Sequence, residues 1–186
     1  MGKQYDHISE KHIDFIIRQQ LFFVATGMSE GRINVSPKGL DSLRIINPNQ
    51  VVWLNLTGSG NETATHLRDD GRMTLMFCAL EGEPKILRLY GQATSYLEGS
   101  EIWDAHIGRF PLLPGARQII LMDVDLVASS CGFGVPLFEY AGQRDALVEW
   151  AERKGDKGLR EFREKRNKSE CRWEAHRSGI ASQNYS

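Results

Sequence analysis

Cysteine is scarce in this chain of 186 residues: Cys78, Cys131 and Cys171 are far apart and odd in number. That excludes a disulfide framework and a zinc site built on paired thiolates. The histidines, His7, His12, His66, His106 and His176, fall at no metal-ligand spacing, so no metal is expected. No apolar run has the length of a bilayer-spanning helix. Neither sign of charge is in excess: the formal net charge is −1 and the pI near 6.5, which gives nucleic acid no basic field to follow. The opening MGKQYDHISEKHIDF lacks the apolar centre of a secretory signal, and Asp6 stands where a myristoylation pattern requires Ser or Thr. These absences lead to the expectation of a cytoplasmic protein with neither membrane nor nucleic acid as partner.

What is present is an ordinary globular composition, 41% hydrophobic and 25% charged, enough for one core with at most a helical appendage. Ser9–Gln20 reads as an opening helix capped by Ser9, with Ile13, Ile16 and Ile17 as a narrow apolar stripe. Leu21–Met28 and Arg32–Ser36 read as a hairpin. If the second of these strands stays extended, Asn34, Ser36 and Lys38 share one face, with Pro37 and Gly39 ending the pairing. That face is either a solvated outer surface or a polar wall carrying one cation. Leu43–Ile46 and Gln50–Leu56 are further strands. Arg72–Leu80, Lys85–Tyr96 and Gln118–Val127 complete the set, and on the middle one Arg88 shares a face with Ile86 and Tyr90. Ser129–Pro136, SSCGFGVP, is a glycine-punctuated loop whose backbone must bend sharply or approach something closely. From Gln143 to Lys168 the pattern is helical and charged, broken at Gly155 and Gly158. Strands come first, brief helices lie between them and helices close the chain, an order that predicts an antiparallel barrel rather than alternating βαβ units.

The stretch Leu56–Phe77, LTGSGNETATHLRDDGRMTLMF, is the chemical centre. A Gly58-Ser59-Gly60 turn leads into a helix over Asn61–Asp70, and unpaired amides at such a start bind anions. An ordinary helix cap reads the same way, because Asn and Thr are favoured caps. The turn does not complete a dinucleotide fingerprint, since Thr63 stands at the third glycine, and no Walker A pattern is present.

The run from VSPKG through VVWLNLTGSGNETATHLRDDGRMTLMF to KILRLYGQA resembles the pyridoxamine 5′-phosphate oxidase-like family of FMN-binding split β-barrels over roughly residues 10–135. The SSCGFGVP loop and QRDALVEWAERKGDKGL resemble a subgroup whose substrates are generally unassigned. The resemblance implies a mainly β fold, a six- to seven-stranded antiparallel split barrel with flanking helices and a helical C-terminal extension. The chain is divided into an FMN-binding domain over 1–140 and a helical extension over 141–186 packed on it, and the tail beyond Ser169, which has no periodicity, is expected to be partly mobile. The resemblance implies FMN as cofactor, with Ser36 and Lys38 facing the phosphate and Asn61 and Thr63 at the phosphate-binding helix start. Thr57 would touch the isoalloxazine or ribityl chain, and Arg88 would contact the flavin across the interface of a homodimer. Where oxidases proper carry Ser-Arg-Lys, this chain has Asn61-Glu62-Thr63, so phosphate must rely on neutral donors, the helix end and Lys38. The ending ECRWEAHRSGIASQNYS does not reproduce the arginine-bearing segment that grips pyridoxine phosphate, and vitamin B6 oxidation is not assigned.

The implied activity is that of an FMN-dependent oxidoreductase acting with a small-molecule substrate or electron donor. The alternative is a non-catalytic flavin or haem binder that senses or stores, since one fold serves several uses. No general acid or base stands out. His66 is expected on the solvent or cap side of its helix, His106 at a surface or core edge, and Cys131 as the one thiol in a suggestive loop.

Overall fold

The structure, a computed structural model, describes residues 2–167. It contains β1 (Lys3–Tyr5), α1 (Glu10–Ile17), β2 (Phe22–Thr26), β3 (Asn34–Lys38), β4 (Leu43–Asn47), β5 (Gln50–Leu56) and α2 (Glu62–Asp69). These are followed by β6 (Arg72–Cys78), β7 (Ile86–Leu97), α3 (Glu101–His106) with a 3-10 turn over Ile107–Arg109, β8 (Ala116–Ser130) and α4 (Ala146–Asn167). Among the described residues all strands join one eight-stranded antiparallel sheet in the order β3-β2-β6-β7-β8-β5-β4, with β1 beside β8. The path is not closed, because β3 and β4 end it unpaired with each other. The mainly β split-barrel expectation therefore holds, with one strand more than the six or seven anticipated.

The extra strand is β1, whose Lys3–Tyr5 pair with Ser129–Val127. Three residues are too few for a periodic signal, and only the length of β8 provides this edge. β8 pairs with β7 along one side, and on the other it serves β5 first and β1 beyond it.

The core follows from strand alternation. Val51 and Trp53 of β5 join Val24, Leu75, Phe77, Leu87, Leu89, Ile120 and Met122 inside the barrel. Their neighbours Val52 and Leu54 face the other way and pack with Ile119 beneath Trp103 of α3 and Phe110. A strand buried on both faces must read as a continuous apolar run, as QVVWLNL does.

Several expectations shift by a residue or a face. On α1 the buried side chains are His12, Phe15 and Ile16, while Ile17 is 69% exposed. Together with Ile8 they follow the helical repeat i, i+4, i+7, i+8, which carries Ile17 out of the contact face. Pro37 does not end pairing: it stands opposite Phe23 within β3. β3 terminates the sheet path, and an edge strand tolerates the missing amide. In α4, Gly155 alone leaves helical geometry (φ 61°, ψ 170°), and Gly158 continues the helix.

Two glycines are required by close backbone approach. At Gly91 the β7–β8 register slips by one residue, and a Cβ there would overlap the Asp123 carbonyl. Gly132, at φ 67°, sits against the backbone of Lys85, with a Cβ position 2.7 Å from its nitrogen, whereas Gly134 meets nothing within 4 Å. The expected mobile tail beyond Ser169 lies outside the described residues. No helix among them is long and apolar enough to cross a membrane.

Candidate functional site

A cavity of about 1560 Å³ lies where the sheet path ends. One wall is Asn34, Ser36 and Lys38 on β3, then Gly39, Leu40 and Ser42, then Trp53–Leu56 on β5 and the Gly58–Thr63 turn. Strand alternation puts the three β3 side chains on this inner face, while Val35 points outward and is 60% exposed. The opposite wall is the β6–β7 connection, Cys78–Lys85, together with one face of α1.

A strap from Phe138 to Arg144 roofs the space. Its Phe138 amide donates to the Leu80 carbonyl at 2.9 Å, and its Tyr140 amide to Glu81 Oε1 at 3.0 Å. Gln143 ties the far end twice: Oε1 accepts from the Leu40 amide at 3.1 Å, and Nε2 donates to the Gln20 carbonyl at 2.9 Å. Leu40 holds a left-handed backbone (φ 59°), so this latch fixes a turn that a bulky residue adopts reluctantly.

One corner of the cavity is polar, formed by Ser36, Lys38 and the start of α2 with Glu62. Ser36 Oγ is buried without a hydrogen-bond partner. Lys38 Nζ lies 5.1 Å from the Trp53 ring centroid, and burial lowers its pKa while Glu62 pushes it back up. The side chain of Asn61 does not cap α2; its Oδ1 instead accepts from Gln118 Nε2 at 3.2 Å. The positive end of α2 thus faces the cavity without a side-chain cap, between buried Thr63 and a lysine. The Glu62 carboxylate folds back over Gly60, where a Cβ would overlap it.

Of the residues singled out from sequence, Ser36, Lys38, Asn61 and Thr63 line this one cavity, and Thr57 and Arg88 do not. Thr57 is 1% exposed and belongs to a link with α4. Its hydroxyl donates to the Gly115 carbonyl at 2.9 Å and accepts from Arg163 Nε at 2.8 Å, while Arg163 Nη2 reaches the Ala116 carbonyl at 3.0 Å. Arg88 Nη1 lies 3.3 Å from Ser130 Oγ across the β7–β8 ladder.

His66 is corrected from solvent side to core. It is fully buried, with Nδ1 3.0 Å from Thr26 Oγ1 on β2 and Nε2 unpartnered. Thr26 is 40 residues away, so local helical spacing gave no sign of it. His106 lies off the cavity, its pKa lowered by burial and then by Arg109. Cys131 is exposed and outside the lining; Cys78 lines the cavity, where burial raises its pKa and keeps it a thiol. Sequence reasoning missed Cys78, Trp53, Asn55 and the entire strap, because a wall made of three distant segments leaves no local pattern. Among the described residues no cluster of metal-ligating side chains occurs.

The family profile described as Pyridoxamine 5′-phosphate oxidase matches residues 8–131. An Aspergillus flavus protein, the pyridoxamine 5′-phosphate oxidase family protein ustO, is 41% identical over 140 residues, which cover 73% of this chain and 56% of that protein. The chain therefore spans little more than half the length of this relative. Among solved structures, a HupZ variant from Group A Streptococcus superposes with a TM-score of 0.54 at 23% identity, covering 66% of this chain and 99% of that one. A Lactobacillus delbrueckii protein provisionally named a pyridoxamine 5′-phosphate oxidase gives 0.53 at 13% identity, covering 66% and 94%. At such identities the two structures are similar in fold alone.

Proposed function

The chain belongs to the pyridoxamine 5′-phosphate oxidase family, and from that membership and the polar corner of its cavity we propose that it is an FMN-binding oxidoreductase. The observation that carries this reading is the buried, unpartnered hydroxyl of Ser36 beside Lys38, in one cavity with the uncapped start of α2. A dianionic phosphate satisfies all three: it accepts from the hydroxyl, neutralises a desolvated ammonium and meets the positive end of a helix. Ser36, Lys38, Asn61 and Thr63 would hold that phosphate. Thr57 supports them from behind, because Arg163 and Gly115 fix it at the start of the turn. When bound, the flavin supplies hydride or electron transfer.

The protein's own part is to bind, orient and exclude water. The strap and its Gln143 latch narrow the space for a small-molecule substrate or electron donor. Cys78 offers no thiolate nucleophile there, since burial keeps it protonated. The reading also includes a homodimer with the flavin site at the subunit interface, in which Arg88 of one subunit faces the flavin of the other. Support comes from apolar side chains left in water: Ile33 and Val35 by the edge strand, Phe133 and Leu137 near the strap, between 60% and 81% exposed. Light scattering at micromolar concentration that finds only a 21.1 kDa species would remove the dimer.

The test of function is a visible spectrum of the purified protein, followed by FMN titration. Bound flavin whose bands bleach with a nicotinamide donor and recover with an acceptor supports the enzyme. Flavin bands inert to donors, or a Soret band, would replace it with a binding or sensing protein. Absence of binding on FMN titration refutes the flavin reading.

A further inference from the structure

The Lys38 corner accounts for one end of the cavity and leaves the other unexplained. There, Lys11 of α1, Arg18 at the C-terminal cap of that helix and Lys85 from the β6–β7 connection line the same space. Positions 11, 15 and 18 are spaced i, i+4, i+7, so Lys11, Phe15 and Arg18 form one helical stripe. Phe15 is buried beneath it, and Lys85 Nζ lies 4.7 Å from the Phe15 ring centroid. No ion pair joins any of these three cations to a carboxylate among the described residues. Three acids line this space as well, Glu81 and Glu83 on the adjoining loop and Glu139 on the strap; Glu81 accepts from the Tyr140 amide, and none of the three forms an ion pair with these cations. The Lys85 ammonium is disfavoured first by burial and then by the charge of Arg18. Like charges held against one cavity wall repel at a cost that an entering anion relieves.

The two cationic ends are separated by sheet geometry. Lys38 stands opposite Phe22 on β2, Phe22 stacks on Phe77 of β6 at 5.9 Å, and Phe77 stands opposite Leu87 of β7, two residues from Lys85. Three inter-strand steps correspond to about 14 Å across the sheet. One phosphate group cannot bridge that span.

We propose that Arg18 and Lys85, with Lys11 at the rim, form a second anion subsite that receives a carboxylate or phosphate group of the substrate. The role as a substrate site rests on the flavin reading of the Lys38 corner; the anion binding does not. The cavity would then hold one anion at each end, with the reacting part of the substrate between them.

Calorimetry on the full chain tests this with phenyl phosphate, benzoate and the neutral benzyl alcohol as probes. At least one anion should bind about tenfold or more tighter than the alcohol, as charge-assisted hydrogen bonds require. Because the Lys38 corner itself takes a phosphate, the variants are compared in a Lys38→Met background: adding Arg18→Gln with Lys85→Met should lose that preference, and adding Arg18→Lys with Lys85→Arg should retain it. The preference of FMN over riboflavin should follow the opposite pattern, falling with Lys38→Met alone. Equal binding of anions and alcohol in that background, or a preference that survives the added Arg18/Lys85 substitutions, would each overturn the subsite. If the wild-type chain binds phenyl phosphate here but takes no FMN, the subsite stands and the flavin reading falls.

Discussion

Glu62 is the residue at which the proposed phosphate corner works against itself, and Glu62→Gln is its sharpest test. The carboxylate lies over Gly60 in the first turn of α2, lines the cavity and acts electrostatically on Lys38. Taking a phosphate charge at roughly 6 Å, Coulomb repulsion lies between about 0.7 kcal/mol at bulk-water dielectric and about 2.8 kcal/mol at an effective value of 20. A middle value of about 1.5 kcal/mol corresponds to roughly tenfold tighter FMN binding once the charge is removed. The same change removes a favourable charge from the N-terminus of α2, which lowers the stability of the ligand-free protein by about 0.5 kcal/mol. Affinity and stability therefore move in opposite directions. Flavin-fluorescence quenching measures the first and thermal unfolding the second. Riboflavin, which lacks the phosphate, should bind both proteins alike, and the gain for FMN should shrink as salt screens the repulsion. Unchanged or weaker FMN binding by Glu62→Gln, or an equal gain for riboflavin, would refute a phosphate beside Glu62.

Lys38→Met should weaken FMN binding by about 2 kcal/mol, roughly thirtyfold, by fluorescence titration. Because burial lowers the Lys38 pKa below its ordinary 10.5, the unfolded chain binds more protons between the two values, and ligand-free stability rises with pH through that window. The variant should remove this part of the slope in urea titrations, leaving the part due to Lys85, whose pKa is lowered likewise. Gly91→Ala places a methyl on the Asp123 carbonyl in the middle of the β7–β8 ladder and should cost about 3 kcal/mol, a melting temperature about 6–12 °C lower by circular dichroism. Arg163→Met severs the links from α4 to Thr57 and the Ala116 carbonyl and should cost about 2 kcal/mol in urea unfolding. An unchanged midpoint there would mean that α4 does not brace the turn.

The sequence by itself determined the elements and the chemistry of one wall. Alternation along β3 brought Asn34, Ser36 and Lys38 to one face, and the Gly58–Gly60 turn announced the start of α2, because both are read within a few residues of backbone period or turn chemistry. What only the tertiary structure decided depends on partners far away in the chain. Thr57 bears a favoured turn hydroxyl, and Arg163, 106 residues later, makes it a brace for α4 instead of a wall of the cavity. His66 looks like a solvent-side helical residue until Thr26 on β2 accepts it into the core. The second cationic end joins α1 to the β6–β7 connection, and the strap is latched by Gln143 to Gln20, 123 residues away. Such pairings arise when strands close into a sheet and bring distant segments together, and no local period encodes them.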